Sequence, residues 1–502
     1  MSDYQLFIDG EFCEAASGET FESIDPSTGE SIGTVARAGR DDAVRAIEAA
    51  RAAFDDHRWS GRRGSDRGKI LAAVAKGIKE RAAELAELES RDSGATLVKA
   101  KGADVGGAGF WFRTMGQYAA KLDEPEPLPQ TIVPGPSYNY LKRDPVGVCT
   151  AIIPWNFPLQ MAAWKISMAL AAGNTIVLKP AEETPCSATV LAQILKDAGV
   201  PDGVVNIIPG PGPGTGEELV TNPKVDKVSF TGSTEVGKQI MQMAANTVKK
   251  TTLELGGKSA QIVLDDADLD LAVDGALYGA FFHSGQVCTA GSRLLLPESL
   301  HDEFVGRLLA RVADIRVGVA SEKSSTMGPV VNNKQLDTIV NYIEIGQKEG
   351  ATLAAGGQRL TDDGLDKGFF VAPTVFTDVT PDMTIAQEEI FGPVLSVIRY
   401  ADEEDAIRIA NGTVYGLAAA VWGTPTRAMK LAERLQAGTV WINDYHLLNP
   451  HYPFGGYKQS GIGREHGYLG LLEYTEPKHL HVGMDPTRST KRWFDMTIPQ
   501  QR

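Results

Sequence analysis

Val148-Cys149-Thr150-Ala151-Ile152-Ile153-Pro154-Trp155-Asn156 is the stretch from which the fold is read. Residues 148–153 form a continuous β-prone run, and Pro154 closes it. Met161, Trp164, Met168 and Ala172 then recur at helical spacing until Gly173, so a helix follows. The unit repeats. A strand at 175–178 ends at Lys179-Pro180 and leads to a helix over 188–198. Another at 204–208 ends in the Gly/Pro-rich 209–216, and a third at 225–230 ends in Thr231-Gly232-Ser233 before a helix carrying Val236 and Ile240. Short apolar strands alternating with helices predict a doubly wound parallel sheet of α/β class, which binds ligands beyond the carboxyl ends of its strands. Asn156, Lys179, Gly210 and Gly232 would reach one crevice, and the N-terminus of the last helix could hold a phosphate. The Gly-x-Gly-x-x-Gly fingerprint is absent from any suitable strand-to-helix junction, so a nucleotide site and a purely structural layer both remain open.

Outward from this region, residues 5–8 read as a strand and 41–54 and 68–91 as amphipathic helices. The proline-rich 123–129, with Pro134 and Pro136, reads as an extended connection, and 138–143 alternates like an exposed strand. Downstream, strands at 261–264, 294–296, 395–400 and 418–422 alternate with helices at 298–314, 333–349, 404–411 and 425–435, predicting a second α/β domain. Arg488, Lys491 and Arg492 beside Trp493 and Phe494 suggest a tail lying on a surface, such as a neighbouring subunit.

The 502 residues call for two or three domains. With 49 basic against 64 acidic residues, the formal net charge of −15 argues against nucleic acid or an anionic membrane as partner. Cys13, Cys149, Cys186 and Cys288 are too scattered for a disulfide framework or a metal site. The opening Met1-Ser2-Asp3-Tyr4-Gln5 lacks a signal peptide's basic and apolar regions, and no run of about eighteen apolar residues occurs, so a cytoplasmic location is expected.

Chemistry centres on Gly285-Gln286-Val287-Cys288. Leu269, Val273, Leu277 and Phe281 mark a buried helix, which places Cys288 in the turn before the 294–296 strand. A thiolate there, with Gly285, Ala290 and Gly291 leaving room, would be a strong nucleophile, whereas a free cysteine is more commonly a small buried hydrophobe. Glu254, in Glu254-Leu255-Gly256-Gly257-Lys258, adds a carboxylate between the two α/β halves.

Seven motifs in order carry a family resemblance: Pro154-Trp155-Asn156-Phe157-Pro158, Lys179-Pro180-Ala181-Glu182 with Thr184-Pro185, Phe230-Thr231-Gly232-Ser233, the Glu254 and Cys288 motifs, Glu388-Glu389-Ile390-Phe391-Gly392-Pro393 and Pro453-Phe454-Gly455-Gly456. From near the first strand to about Gly483 the chain resembles the aldehyde dehydrogenase superfamily. The resemblance implies a Rossmann-like NAD-binding domain at 1–122 and 147–255 and a catalytic domain at 256–455. It also implies a small β oligomerisation element at 123–146 and 470–490, followed by a tail at 491–502.

It further implies that Cys288 attacks the aldehyde carbonyl, that the Asn156 amide and the Cys288 N–H receive the oxyanion, and that Glu254 activates water to hydrolyse the thioester. Asn156 as a turn residue and Glu254 as a surface carboxylate are the structural alternatives. Lys165 and Glu465 match proton-relay positions, against exposed salt-bridging roles. Lys179 and Glu182 match the pair holding the adenosine ribose, and a carboxylate there favours NAD over NADP while Lys179 leaves room for NADP. Ile153, Trp155, Gly212, Gly216, Phe230, Gly232, Ser233, Leu255, Glu389 and Phe391 complete the matched cofactor positions.

Phe157, Met161, Trp164, Phe282, Val287, Thr289 and Phe454 match the aldehyde tunnel, with Leu447, Leu448 and Tyr452 nearby. This apolar lining suits hydrophobic or aromatic aldehydes. It could also box a quaternary ammonium through cation–π contacts, although betaine-aldehyde enzymes often carry tryptophan where Phe282 stands. Matched positions offer no acidic anchor for an aminoaldehyde. A CoA-acylating enzyme is disfavoured by Glu254, and a silent structural relative by Cys288, Asn156 and Glu254 together. The family also implies a homodimer or homotetramer.

Overall fold

The computed structural model describes residues 3–499. Positions 1–2 of the first predicted domain and 500–502 of the predicted tail lie outside the described residues. Val148–Ile152 pairs in parallel with Lys227–Thr231 on one side and Thr175–Lys179 on the other. Val205–Ile207 continues the parallel set beyond Thr175–Lys179, and Lys250–Glu254 continues it beyond Lys227–Thr231. The parallel set therefore starts in the middle of the sheet, winds to one side and returns to build the other half. This puts a topological switch point between Val148–Ile152 and Lys227–Thr231, the strands that deliver Asn156 and Gly232. Antiparallel strands complete the eight-stranded sheet: Leu6–Ile8 and Glu11–Cys13 at one edge, Gly461–Ile462 at the other.

A seven-stranded sheet forms the second half. Its order is Thr352–Ala355, Thr374–Thr377, Val394–Tyr400, Arg293–Pro297, Ala260–Val263, Ala418–Trp422 and Thr439–Ile442, parallel except for the first pair. Helices cover both faces of each sheet because the central strands are buried along their length.

Three details differ from the sequence reading. The predicted 68–91 helix is two, Gly64–Glu80 and Ala82–Ser93, which meet at Arg81. The strand at 138–143 runs Ser137–Pro145 and is no unpaired edge, because Thr475–Gly483 and Glu126–Pro127 flank it in an antiparallel three-stranded sheet. Lys250–Glu254 was not anticipated as a strand, since Lys-Thr-Thr reads as exposed. Its burial comes from the neighbours on either side. In the tail, the Trp493 ring lies against Gly135 of the same chain.

Candidate active site

The turn before Cys288 is conformationally unusual. The Leu269–Phe281 helix stops, and His283, Ser284 and Gly285 follow with φ of 51°, 56° and 69°. Such strain persists only where neighbours hold it. Ser284 Oγ donates to the Gly328 carbonyl at 2.8 Å, while the side chain of Gln286 accepts from the Val331 N–H at 2.9 Å. A side chain at Gly285 would be strained at that φ, and its Cβ would fall 2.2 Å from the Gly392 carbonyl oxygen. Gly257 is needed for closeness alone, because a Cβ there would lie 2.5 Å from the Cys288 carbonyl oxygen.

Two cavities meet at Cys288. One of about 430 Å³ is walled by aromatic and aliphatic side chains, among them Phe157, Met161, Trp164, Phe282, Val287 and Leu448. Thr289 joins them. The other, about 230 Å³, is lined by Trp155, Asn156, Met161, Gly232, Ser233, Glu254, Leu255, Glu389 and Phe391. Within it the Trp155 and Phe391 rings meet edge to face at 5.2 Å.

Burial raises the Cys288 thiol to about 12, helped by the Glu389 and Glu254 charges, while the N–H groups of Thr289 and Cys288 itself pull the other way. Burial also pushes Glu254 well above the usual carboxylate range, with Glu465 adding to the rise and Lys165 and Arg464 opposing it. Glu389 rises to about 7 through burial, although it accepts the Gly257 N–H at 2.9 Å. Asn156 Nδ2 donates to the Gln286 carbonyl at 2.8 Å, leaving its second N–H for another acceptor.

Buried Asn156 and Glu254 both line the 230 Å³ cavity, which disposes of the surface reading for Glu254. Lys165 and Glu465 correct the sequence alternative of exposed salt bridges: both are fully buried and pair with each other, and Ser229 Oγ donates to Glu465 at 3.1 Å. Phe454 does not line the 430 Å³ cavity. It is buried behind Trp164, stacked on His466. Leu447 and Leu448 line that cavity, and Tyr452 does not.

At the neighbouring strand end, Lys179 Nζ is buried and donates to the Gly210 carbonyl at 2.6 Å and the Pro180 carbonyl at 3.1 Å. Burial lowers its pKa to about 8, against the pull of Glu182 and Glu183. Glu182 pairs with Arg37 at 3.1 Å. Lys179, Glu182, Gly212 and Gly216 lie outside the 230 Å³ cavity, at neighbouring strand ends. Ile153 and Phe230 are buried supports: the Ile153 N–H donates to the Lys179 carbonyl at 3.1 Å, and the Phe230 ring packs under Gly232.

The sequence reading passed over Trp111, Tyr278 and His446, which also line the larger cavity. Thr289 Oγ1 lies 3.0 Å from His446 Nδ1, and His446 Nε2 lies 3.1 Å from the Gly279 carbonyl. Burial lowers the His446 pKa to about 3, so the ring is neutral, donates to Gly279 and accepts from Thr289. Its position beside Leu447 and Leu448 was the available signal.

The aldehyde dehydrogenase family model matches residues 12–480. A betaine aldehyde dehydrogenase of Bacillus subtilis is 47% identical over 98% of this chain and 99% of its own. An aldehyde dehydrogenase of Aspergillus niger is 47% identical over 95% and 94%. Among solved structures, a betaine aldehyde dehydrogenase mutant from Staphylococcus aureus, in complex with NAD+ and with a modified cysteine, superposes with a TM-score of 0.95 at 43% identity. It covers 98% of this chain and 100% of that one. The NAD+ complex of a Bacillus cereus aldehyde dehydrogenase gives a TM-score of 0.93 at 45% identity, covering 96% and 97%. With the matched family spanning nearly the whole length and Cys288, Asn156 and Glu254 gathered at one site, this chain belongs to the aldehyde dehydrogenase family.

Proposed function

We propose that the protein oxidises an aldehyde to its carboxylic acid with NAD, in a hydrolytic cycle on Cys288. The observation that carries this reading is the meeting of two unlike cavities at one thiol, with Asn156 and Glu254 on the same wall. The residues fit a polar cofactor on the smaller side: Asn156 Oδ1, Thr231 Oγ1 and both Glu254 oxygens are buried without a partner among the described residues, and all three residues line that cavity. Trp155, Gly232, Ser233, Leu255, Glu389 and Phe391 would hold the nicotinamide end, and Lys179, Glu182, Gly212 and Gly216 the adenosine end, with NAD preferred over NADP.

Cys288 Sγ adds to the carbonyl carbon as its S–H bond breaks and the proton passes to solvent, and the C=O π pair moves onto oxygen as an alkoxide. The free N–H of Asn156 and the Cys288 backbone N–H receive that charge. NAD, when bound, supplies the two-electron acceptor that turns the thiohemiacetal into a thioester. Glu254 as carboxylate then takes a proton from water, whose oxygen attacks the thioester carbon and expels Cys288. Its raised pKa makes it a stronger base than a solvated glutamate, and the buried Lys165–Glu465 pair is the acceptor next in line for the proton.

The larger cavity carries no ionised side chain among its described lining residues, which favours hydrophobic or aromatic aldehydes. A second reading, betaine aldehyde, rests on the full-length similarity to the Bacillus subtilis enzyme and on the aromatic lining, which suits a quaternary ammonium. NADH formation with a panel of long-chain, aromatic, terpenoid and betaine aldehydes separates the two. No turnover with NAD or NADP, with or without CoA, would overturn both. A homodimer or homotetramer is also proposed, because Thr475–Gly483 leaves one strand edge unpaired among the described residues and is largely exposed. Monomeric elution on a sizing column would contradict it.

A further inference from the structure

We infer that Lys99 and Asp104 form a buried positioning pair for Asn156, an inference that rests on the dehydrogenase reading above. Lys99 closes the short Leu97–Lys99 helix, and Asp104 lies in the π-helical stretch Ala100–Gly106. In an α-helix, side chains five residues apart diverge by about 140°. The i→i+5 repeat of a π-helix brings them to one side instead. Lys99 Nζ thereby donates to both Asp104 oxygens, at 3.0 and 2.9 Å, with the two side chains 1% and 0% exposed.

The third ammonium hydrogen goes to the backbone carbonyl of Asn156, at 3.2 Å, and the charge lies 4.0 Å from the centre of the Phe157 ring. Glu89 faces the same pair from the Ala82–Ser93 helix and accepts the Leu159 N–H at 3.2 Å. Asn156 is thus anchored at both ends, its peptide by Lys99 and its amide by the Gln286 carbonyl. Between those anchors its remaining N–H has a fixed direction. Stability alone gives little reason for such a pair, since well-packed apolar residues of similar volume serve as well. The same π-helical turn forms part of the larger cavity wall through Gly102, Ala103 and Gly106. Lys99 touches no reacting atom, so its effect on the oxyanion passes through Asn156.

Steady-state kinetics with NAD and the best aldehyde of the panel test this in wild type, in Lys99→Met with Asp104→Asn, and in Lys99→Arg, each with and without Asn156→Ala. The Met/Asn variant removes the pair without stranding a charge. We expect it to lower kcat and kcat/KM together by about tenfold with KM unchanged, and to change kcat less than about twofold once Asn156 is alanine. Lys99→Arg keeps the charge but moves the donor, and provides the same test should the apolar variant not fold. Its expected loss is about threefold with Asn156 present and none without it. Equal losses in both backgrounds, or a raised KM at unchanged kcat, would overturn the positioning role. Absence of turnover by the wild type would overturn the dehydrogenase reading itself, and the pair's role with it.

Discussion

The 430 Å³ and 230 Å³ cavities share Cys288 and Met161 but are built from opposite materials. The larger is aromatic and aliphatic, and its one imidazole, His446, is held neutral between Gly279 and Thr289. The smaller contains Glu254 and Glu389, both pushed upward by burial, beside the backbone-rich turn at Gly232. In the proposed reaction, selection of a molecule by shape and contact would fall to the larger side, and charge and proton movement to the smaller, where low dielectric magnifies each ionisable group. Burial first, and then the Glu389 and Glu254 charges on the smaller side, keep Cys288 a thiol, and the described lining residues of the larger side include no cation to lower it.

The largest expected effect lies at the shared residue. Cys288→Ala should abolish NADH formation with every aldehyde, a loss of at least about 10³-fold in kcat. Retained turnover would mean that the cavities do not meet in a common reaction. On the smaller side, Glu254→Gln should lower steady-state kcat about 10²-fold while still releasing a first equivalent of NADH, because the thioester forms but is not hydrolysed. The wild-type pH profile sharpens this. A general base works when deprotonated, so kcat should rise with pH as Glu254 ionises, in a window above the ordinary carboxylate value of about 4.3 because burial raises it. Glu254→Gln should lack that limb.

On the larger side, Phe282→Ala should raise KM for hydrophobic aldehydes about tenfold with little change in kcat, since the contact is made in ground and transition states alike. A pure kcat effect would break the division between the cavities. Smallest is Glu182→Gln, which should shift the NADP-to-NAD preference about threefold as measured by the two kcat/KM values. Its carboxylate is partly exposed and already engaged by Arg37, so its charge is screened.

Much of this was legible before the structure. The alternation around 148–153 and 225–230 predicts the parallel sheet, and the strand ends place Asn156 and Gly232 together. Cys288 follows from the helix that stops before it. Three things were not legible for physical reasons. Lys250–Glu254 is polar in composition and becomes a strand, second from the sheet edge, only because two partners flank it. Phe454 matches the family's aldehyde tunnel, yet Trp164 stands in front of it. The π-helical turn at 100–106 contains no pattern that distinguishes it from an α-helix until Lys99 and Asp104 are seen to pair.

The sequence by itself determined which chemical groups the protein owns: one thiol in a glycine-bordered turn, one amide at a strand end, one carboxylate between the two α/β halves, and the periodicities that make strands and helices. Tertiary structure alone decided which charges lose water and which neighbours they meet. Lys165 and Glu465 are 300 positions apart and look like surface residues in sequence, yet they share a hydrogen bond where no solvent reaches. Periodicity is set by neighbours along the chain and can be read from it. Desolvation and Coulomb energy depend on what packs around a group in space, and those distances exist only once the two sheets have come together.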